Sequence, residues 1–287
     1  LSAQCPVFIA PAMGLDMYAH PANLANMEKL VSFGNYIFPA QEGFLASGLE
    51  GKGRMMEPDD IVVSLEENLQ AKAPLNGKTV LITAGPTHEA IDPVRFIGNH
   101  SSGKMGFALA EEAAILGAKV ILISGPTALS AAHHNITLVP VVSAADMHAA
   151  VFNHYASVDI AIAAAAVADF KPIASANQKI KKQSGPPEIH LTSTVDILAQ
   201  MGKEKKQQFL VGFALETENE LENAKAKCLR KNLDAIVLNS LNDKDAGFGG
   251  SHNKITYIRK DDTFVDFDLK PKTAVSKDIF TQILNAL

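Results

Sequence analysis

The stretch 79–106, TVLITAGPTHEAIDPVRFIGNHSSGKMG, constrains the fold more than any other part of the chain. It opens on an apolar run, Val80 to Ile82, flanked by threonines and closed by Gly85-Pro86. That pattern predicts a buried strand running into a loop. A polar, proline-interrupted segment follows from Thr87 to His100. Ser101-Ser102-Gly103-Lys104 then leads into MGFALAEEAAILGA, an apolar-periodic helix that closes near Gly117, with Ser101 or Ser102 as its N-cap. A strand, a long loop and a capped helix form half of a mononucleotide-binding unit. Free backbone N–H groups and the positive end of the helix dipole favour a phosphate at that helix start.

Two phosphate-binding motifs nearly fit here. Gly98 to Lys104 spells G-x-x-x-x-G-K, but Met105 stands where a P-loop needs a Ser or Thr hydroxyl. Phe96-Ile97 is also a weak substitute for the strand that must precede it. The dinucleotide fingerprint G-x-G-x-x-G is absent, since Gly85 is followed by Pro86 and Thr87. The next strand ends in Ser124-Gly125-Pro126 without the acidic residue that holds a ribose 2′-OH.

Strands and helices alternate from Thr79 onward. Strands are predicted at 79–82, 119–123, 137–141, 159–163, 209–213 and 234–238, with helices at 104–116, 144–155 and 218–231. This predicts an α/β fold with a doubly wound, mostly parallel, Rossmann-like sheet, whose ligands sit at the carboxyl ends of the strands. A β-hairpin at 254–259 and 263–267 and a last helix from Ala274 close the chain. AKAPLNGK, 71–78, has a linker's composition, and a linker at 73–78 separates a first section, 1–72, from the main domain, 79–287. The first section reads as strand 7–10, helix 21–33, strand 36–38, a glycine-rich loop and helix 59–69, too few strands for a sheet of its own. The glycine-rich loop is either a flap over a ligand or a connection. The chain starts at Leu1 and enters a strand at once, like the middle of a domain; no targeting segment is visible.

The chain has 287 residues and a net charge of -5, which argues against nucleic acid as a partner. No apolar run reaches the ~20 residues of a membrane span. Cys5 and Cys228 make no metal or disulfide pattern and suit a reducing cytoplasm.

Asp169 ends the apolar run AIAAAAVADF, at the carboxyl end of the fourth predicted strand. It either caps the next turn or accepts from a base, ribose or metal–phosphate group. Lys179-Ile180-Lys181-Lys182 follows, in a loop with Gly185-Pro186-Pro187. Lys227 and Lys231 lie four apart and share a helix face, and Lys225 and Arg230 add positive charge. A cation at about 4 Å from a phosphate contributes on the order of 4 kcal/mol before desolvation, at an effective dielectric near 20. Such basic groups facing strand ends in an acidic chain favour a nucleoside triphosphate.

ITAGPT, DPVRFIGNHSSGKMG, AAAVADF, KIKKQ, VGFALET and RKNLD resemble the ligase half of the bacterial bifunctional phosphopantothenoylcysteine decarboxylase/phosphopantothenate–cysteine ligase family of coenzyme A biosynthesis. The resemblance runs from about Gly77 to the C-terminus. The first section resembles the end of the flavin-dependent decarboxylase half, in PAM with Met13, the Asn26 helix and LASGLEGKGRM. Two departures stand there: Gly14 where that pattern has Asn after PAM, and Ser47 where it has the cysteine that protonates the enethiolate. Ser47 is a much weaker acid, and the part with most of the FMN site is not in this chain. The expectation is no decarboxylation by this polypeptide alone.

The resemblance implies that 4′-phosphopantothenate attacks the α-phosphate of CTP, that pyrophosphate leaves, and that L-cysteine then takes the acyl group from an acyl-cytidylate. It implies Mg2+ with the CTP, metal ligands not being legible, and a homodimer or higher homo-oligomer. By motif match, Gly85, Asp169, Lys179, Val195, Asp196, Ile197, Leu198, Phe213, Lys227 and Lys231 contact the nucleotide. Val195 stands where the family often has Pro. Arg95, Asn99, Ser101, Ser102 and Lys104 handle phosphopantothenate; Asn99 and Lys179 are the catalytic candidates. The alternatives are a non-catalytic nucleotide-binding module and an ATP-using ligase of the same fold.

Overall fold

The computed structural model describes residues 3–182, 188–216, 218–240 and 250–287. Leu1, Gln183, Gly185-Pro186-Pro187 and Thr217, which the sequence reading used, lie outside the described residues. The chain forms two compact units, 1–72 and 73–287.

In the first unit, β1 (Phe8–Ile9) pairs in parallel with β2 (Tyr36–Ile37) across helices α1 (Leu15–Ala19) and α2 (Pro21–Ser32). The glycine-rich stretch is not an irregular loop. It is a hairpin of β3 (Gln41–Phe44) and β4 (Glu50–Arg54), followed by α3 (Pro58–Ala71). Its glycines let the strands crowd their neighbours: a Cβ on Gly51 would come within 2.6 Å of Leu15 Cδ1. Met13 N–H donates to Gly53 C=O at 3.0 Å, so the PAM turn and the hairpin are joined.

The second unit is built on an eight-stranded sheet. Its elements in chain order are β5 (Thr79–Ala84), β6 (His88–Ala90), β7 (Phe96–Gly98), α4 (Lys104–Ile115), β8 (Lys119–Ser124), β9 (Ile136–Pro140), α5 (Ala144–His154), β10 (Ile160–Ala163), β11 (Phe170–Pro172), β12 (Leu191–Ser193), α6 (Ile197–Glu204), β13 (Phe209–Glu216), α7 (Glu220–Arg230), β14 (Ala235–Ser240), β15 (His252–Arg259), β16 (Phe264–Pro271) and α8 (Lys272–Leu284). The sheet order is β16-β15-β14-β13-β10-β5-β8-β9. The six strands from β14 to β9 are parallel and the terminal hairpin β15–β16 is antiparallel, as the sequence predicts. Apolar positions of β5 alternate between two cores. Val80 and Ile82 pack with α4 and α8 residues such as Leu109 and Ile279 on one face. Leu81 packs with Met147, Val151 and Met201 on the other. A strand buried on both faces reads as a continuous apolar run.

Two short antiparallel pairs lie outside this sheet and are not legible as strands in the sequence: β6 with β7, and β11 with β12. Helix α4 corrects a second expectation. Its N-cap is Gly103 at φ 78°, with no side-chain cap; the Ser101 hydroxyl instead accepts from Gly103 N–H at 3.3 Å. A left-handed residue is what turns the chain sharply into the helix, and glycine adopts it without a Cβ penalty. Gly103, having no side chain, offers none of its own to the first N–H groups of α4.

Candidate functional site

The strand order reverses direction between β5 and β10. From β5 the chain winds outward through β8 and β9; from β10 it winds the other way through β13 and β14. Ligands of doubly wound sheets bind at the carboxyl ends of the strands at such a switch point. Thr83 and Ala163, register partners at the ends of β5 and β10, line a cleft of about 370 Å³ there. Asp169, Val195, Asp196, Ile197, Leu198, Phe213, Lys227 and Lys231 line the same cleft. These eight, drawn from four separate stretches of sequence, are brought together by the fold.

Each is fixed by local chemistry. Asp196 N-caps α6, accepting from Ala199 N–H at 3.0 Å, and it pairs with Lys231 Nζ at 2.8 Å. Burial works against the Asp196 charge, but the Lys231 hydrogen bond and the Ala199 N–H outweigh it and hold the carboxyl below its ordinary range. Lys227 Nζ donates to Phe213 C=O at 3.0 Å, within β13. Burial pushes the Lys227 ammonium below the ordinary lysine range, and Lys231 acts in the same direction. Lys227 and Lys231 stand against two carboxylates, Asp169 and Asp196, so the lining of the cleft is formally neutral and carries two ammonium groups. Lys225, in contrast, is drawn away to Asp262 at 2.8 Å and over the Phe264 ring.

The loop that carries Asp169 is stitched from several directions. Thr83 Oγ1 accepts from Ala165 N–H at 3.2 Å and Thr87 Oγ1 from Ala168 N–H at 2.9 Å. Thr194 Oγ1 donates to Ala168 C=O at 2.6 Å, and Thr194 N–H to Asp169 C=O at 2.9 Å. Asn99 Nδ2 donates to the carbonyls of Ala166 and Val167 at 3.1 and 3.2 Å, which turns its own amide oxygen away from them. Asn99 therefore stands beside the Asp169 loop although 70 residues separate them in sequence. Thr83, Met147 and Thr194 line the cleft and are missing from the sequence-derived set. Thr83 could have been found as the polar end of an apolar strand; Met147 has a core residue's helical spacing and gives no signal.

Other expected residues lie outside the lining of the cleft. Gly85, at φ 74°, begins the loop after β5; a Cβ there would be 3.1 Å from the Gly125 carbonyl oxygen. Gly103 packs against Gly85, and Ser102 C=O accepts from Thr127 Oγ1 at 3.2 Å, so Gly85 and the Ser101–Lys104 turn form one crowded corner. Lys179 is exposed. Arg95 donates through Nη2 to Ile180 C=O at 3.0 Å, so Arg95 and the segment holding Lys179 meet away from the cleft walls. In the first unit, Ser47 is exposed at the hairpin tip and Asn26 is exposed on α2.

A mostly parallel sheet with a lysine-bearing cleft at its switch point defines an α/β fold of the doubly wound class. Residues 75–287 match the family described as DNA/pantothenate metabolism flavoprotein C-terminal domain, and residues 1–70 match the flavoprotein family. The chain belongs to the family of coenzyme A biosynthesis bifunctional proteins. It is 48% identical to the CoaBC protein of Bacillus subtilis, over 99% of this chain and 70% of that one. A protein from an unknown prokaryotic organism, named cysteine/cysteine sulfinic acid decarboxylase, is 53% identical over 99% of this chain and 80% of its own. The crystal structure of the C-terminal domain of a CoaBC protein matches 75% of this chain and 98% of its own, at 44% identity and a TM-score of 0.64. No helix among the described residues is long and apolar enough to cross a membrane.

Proposed function

We propose that residues 73–287 form a phosphopantothenate–cysteine ligase that activates its acid with CTP and uses the switch-point cleft as the nucleotide site. One observation carries the reading: eight residues assigned to the nucleotide on motif grounds, two lysines among them, line a single cleft at the switch point between β5 and β10. The carboxylate of 4′-phosphopantothenate attacks the α-phosphorus of CTP, and the bond to pyrophosphate breaks. The amine of L-cysteine then attacks the acyl carbon, CMP leaves, and the amine gives up its proton. The protein's work is alignment of two anions and neutralisation of charge. Lys227 and Lys231 supply cations; Val195 to Leu198 offer main-chain groups to the base. Asn99 presents its free amide oxygen to the acyl-cytidylate. The start of α4, with Ser101, Ser102 and Lys104, and Arg95 serve the phosphopantothenate.

Among the described residues no group of three or more His, Cys, Asp or Glu could hold a metal ion. A magnesium ion bound with the nucleotide would have Asp169 as a nearby carboxylate and would neutralise charge on the phosphates. For the first unit, the flavoprotein match supports FMN and decarboxylation as the work of a complete decarboxylase domain and not of this stretch alone; Met13 and Ser47 lie on the two segments joined by the Met13–Gly53 bond. The relative named cysteine/cysteine sulfinic acid decarboxylase favours a second reading, in which a cysteine-derived acid loses carbon dioxide. Decarboxylation leaves the lysine-lined cleft of the second unit without a role. Asn99→Ala tests the ligase reading: acyl-cytidylate should accumulate while ligated product falls, and parent-like turnover would remove Asn99 from the mechanism.

A further inference from the structure

The carboxylate of Asp92 is fully buried and is used by no step of the reaction described above. It sits in the turn between β6 and β7. Its Oδ1 accepts from the N–H groups of Val94 and Arg95, both at 2.8 Å, which is a local turn. Its Oδ2 reaches much further along the chain, accepting from Ile180 N–H at 3.1 Å. The Arg95 guanidinium lies 3.4 Å from the same Oδ2 and donates to Ile180 C=O at 3.0 Å. The Ile180 residue is thus gripped at both its N–H and its carbonyl, and Lys179 is the residue just before it. Ala176 N–H adds a bond to Ile91 C=O at 2.9 Å. The arm that Ile180 belongs to is rooted in the cleft wall, where Asp169 and Phe170 leave it and Ser193 and Thr194 return.

We infer that Asp92 is a positioning residue for the ligation, fixing the backbone at Ile180 so that Lys179 is held for the nucleotide. This rests on the reading of Lys179 as a nucleotide-contacting residue. The carboxylate suits the task because it accepts on both oxygens. Burial raises its pKa, but the three backbone donors and Arg95 outweigh that and keep it ionised. An asparagine could still accept from Val94 and Arg95 through its oxygen. Its NH2 group would then face two donors, Ile180 N–H and the Arg95 guanidinium. Asp92→Asn therefore cuts the long-range link and spares the local turn.

The test uses the full chain and three variants: Asp92→Asn, Lys179→Ala and both together. Amide exchange across 173–182 should accelerate in Asp92→Asn, with the strands of the large sheet unchanged. Pyrophosphate release should fall about 10- to 100-fold in Asp92→Asn, as a small misplacement of a reacting group does. The fall should lie in kcat, and it should vanish when Asp92→Asn is added to Lys179→Ala. A purely structural role would slow both backgrounds alike, and that result would overturn the proposal, as would unchanged exchange at 173–182. A Lys179→Ala enzyme that turns over like the parent would remove the Lys179 reading and the positioning role with it. Parent-like release by Asp92→Asn beside an impaired Lys179→Ala would remove the positioning role alone.

Discussion

Lys227 and Lys231 differ in what the fold asks of them, although they share a helix face. Lys231 keeps a carboxylate partner, Asp196. Lys227 is packed against β13 and donates to a carbonyl, Phe213 C=O, with Glu216 and Asp196 acting on it through space. Its folded-state pKa lies below the unfolded value, chiefly because of burial. The ammonium form therefore costs stability below the folded pKa, and that cost disappears as pH rises through it. Nucleotide affinity runs the other way, since a neutral Lys227 cannot attract phosphate. Affinity should begin to fall as pH rises from neutrality toward the ordinary lysine pKa of about 10.4, before that value is reached. Lys227→Arg, which stays charged, should show a flatter profile. Nucleotide dissociation constants measured across that range check this; identical profiles would contradict it.

Helices α6 and α7 are held against each other at one glycine. A Cβ on Gly202 would run into the main-chain oxygen of Lys231, and Asn232 Nδ2 already donates to Gly202 C=O at 2.9 Å. Gly202→Ala should lower stability by about 1–3 kcal/mol, as overpacking does, and raise the KM for nucleotide by displacing Lys231. Denaturant midpoints and initial rates test the two parts; a normal KM would mean that Lys231 is not held by this contact. The elements differ in how far the sequence reveals them. The parallel strands are legible because burial on both faces makes them apolar throughout, as in the VLIT of β5. The minor hairpins are not. Strand β12 is exposed at all three residues and β4 reads EGKGR, so backbone pairing makes them strands without any apolar alternation. The start of α4 misleads for a different reason: two serines precede the glycine, and the left-handed turn at Gly103 overrides their capping preference. Asp169, Lys227 and Lys231 are legible as site residues through motifs, whereas Met147 looks like core packing.

The whole molecule divides its chemistry as it divides its chain. Every residue assigned to the ligation lies in 73–287, and both large hydrophobic clusters are built from that unit alone. A fragment of residues 73–287 should fold with a cooperative transition and retain nucleotide cleavage that depends on the pantothenate substrate. An unfolded fragment would mean that the first unit is needed for the stability of the second. The central claim is that the lysine-lined cleft activates a carboxylate with a nucleoside triphosphate. The most direct test is pyrophosphate release by the full chain with magnesium and L-cysteine, run with CTP or ATP and with or without 4′-phosphopantothenate. The account predicts release that requires 4′-phosphopantothenate and is faster with CTP. Folded protein that releases no pyrophosphate with either nucleotide would contradict it.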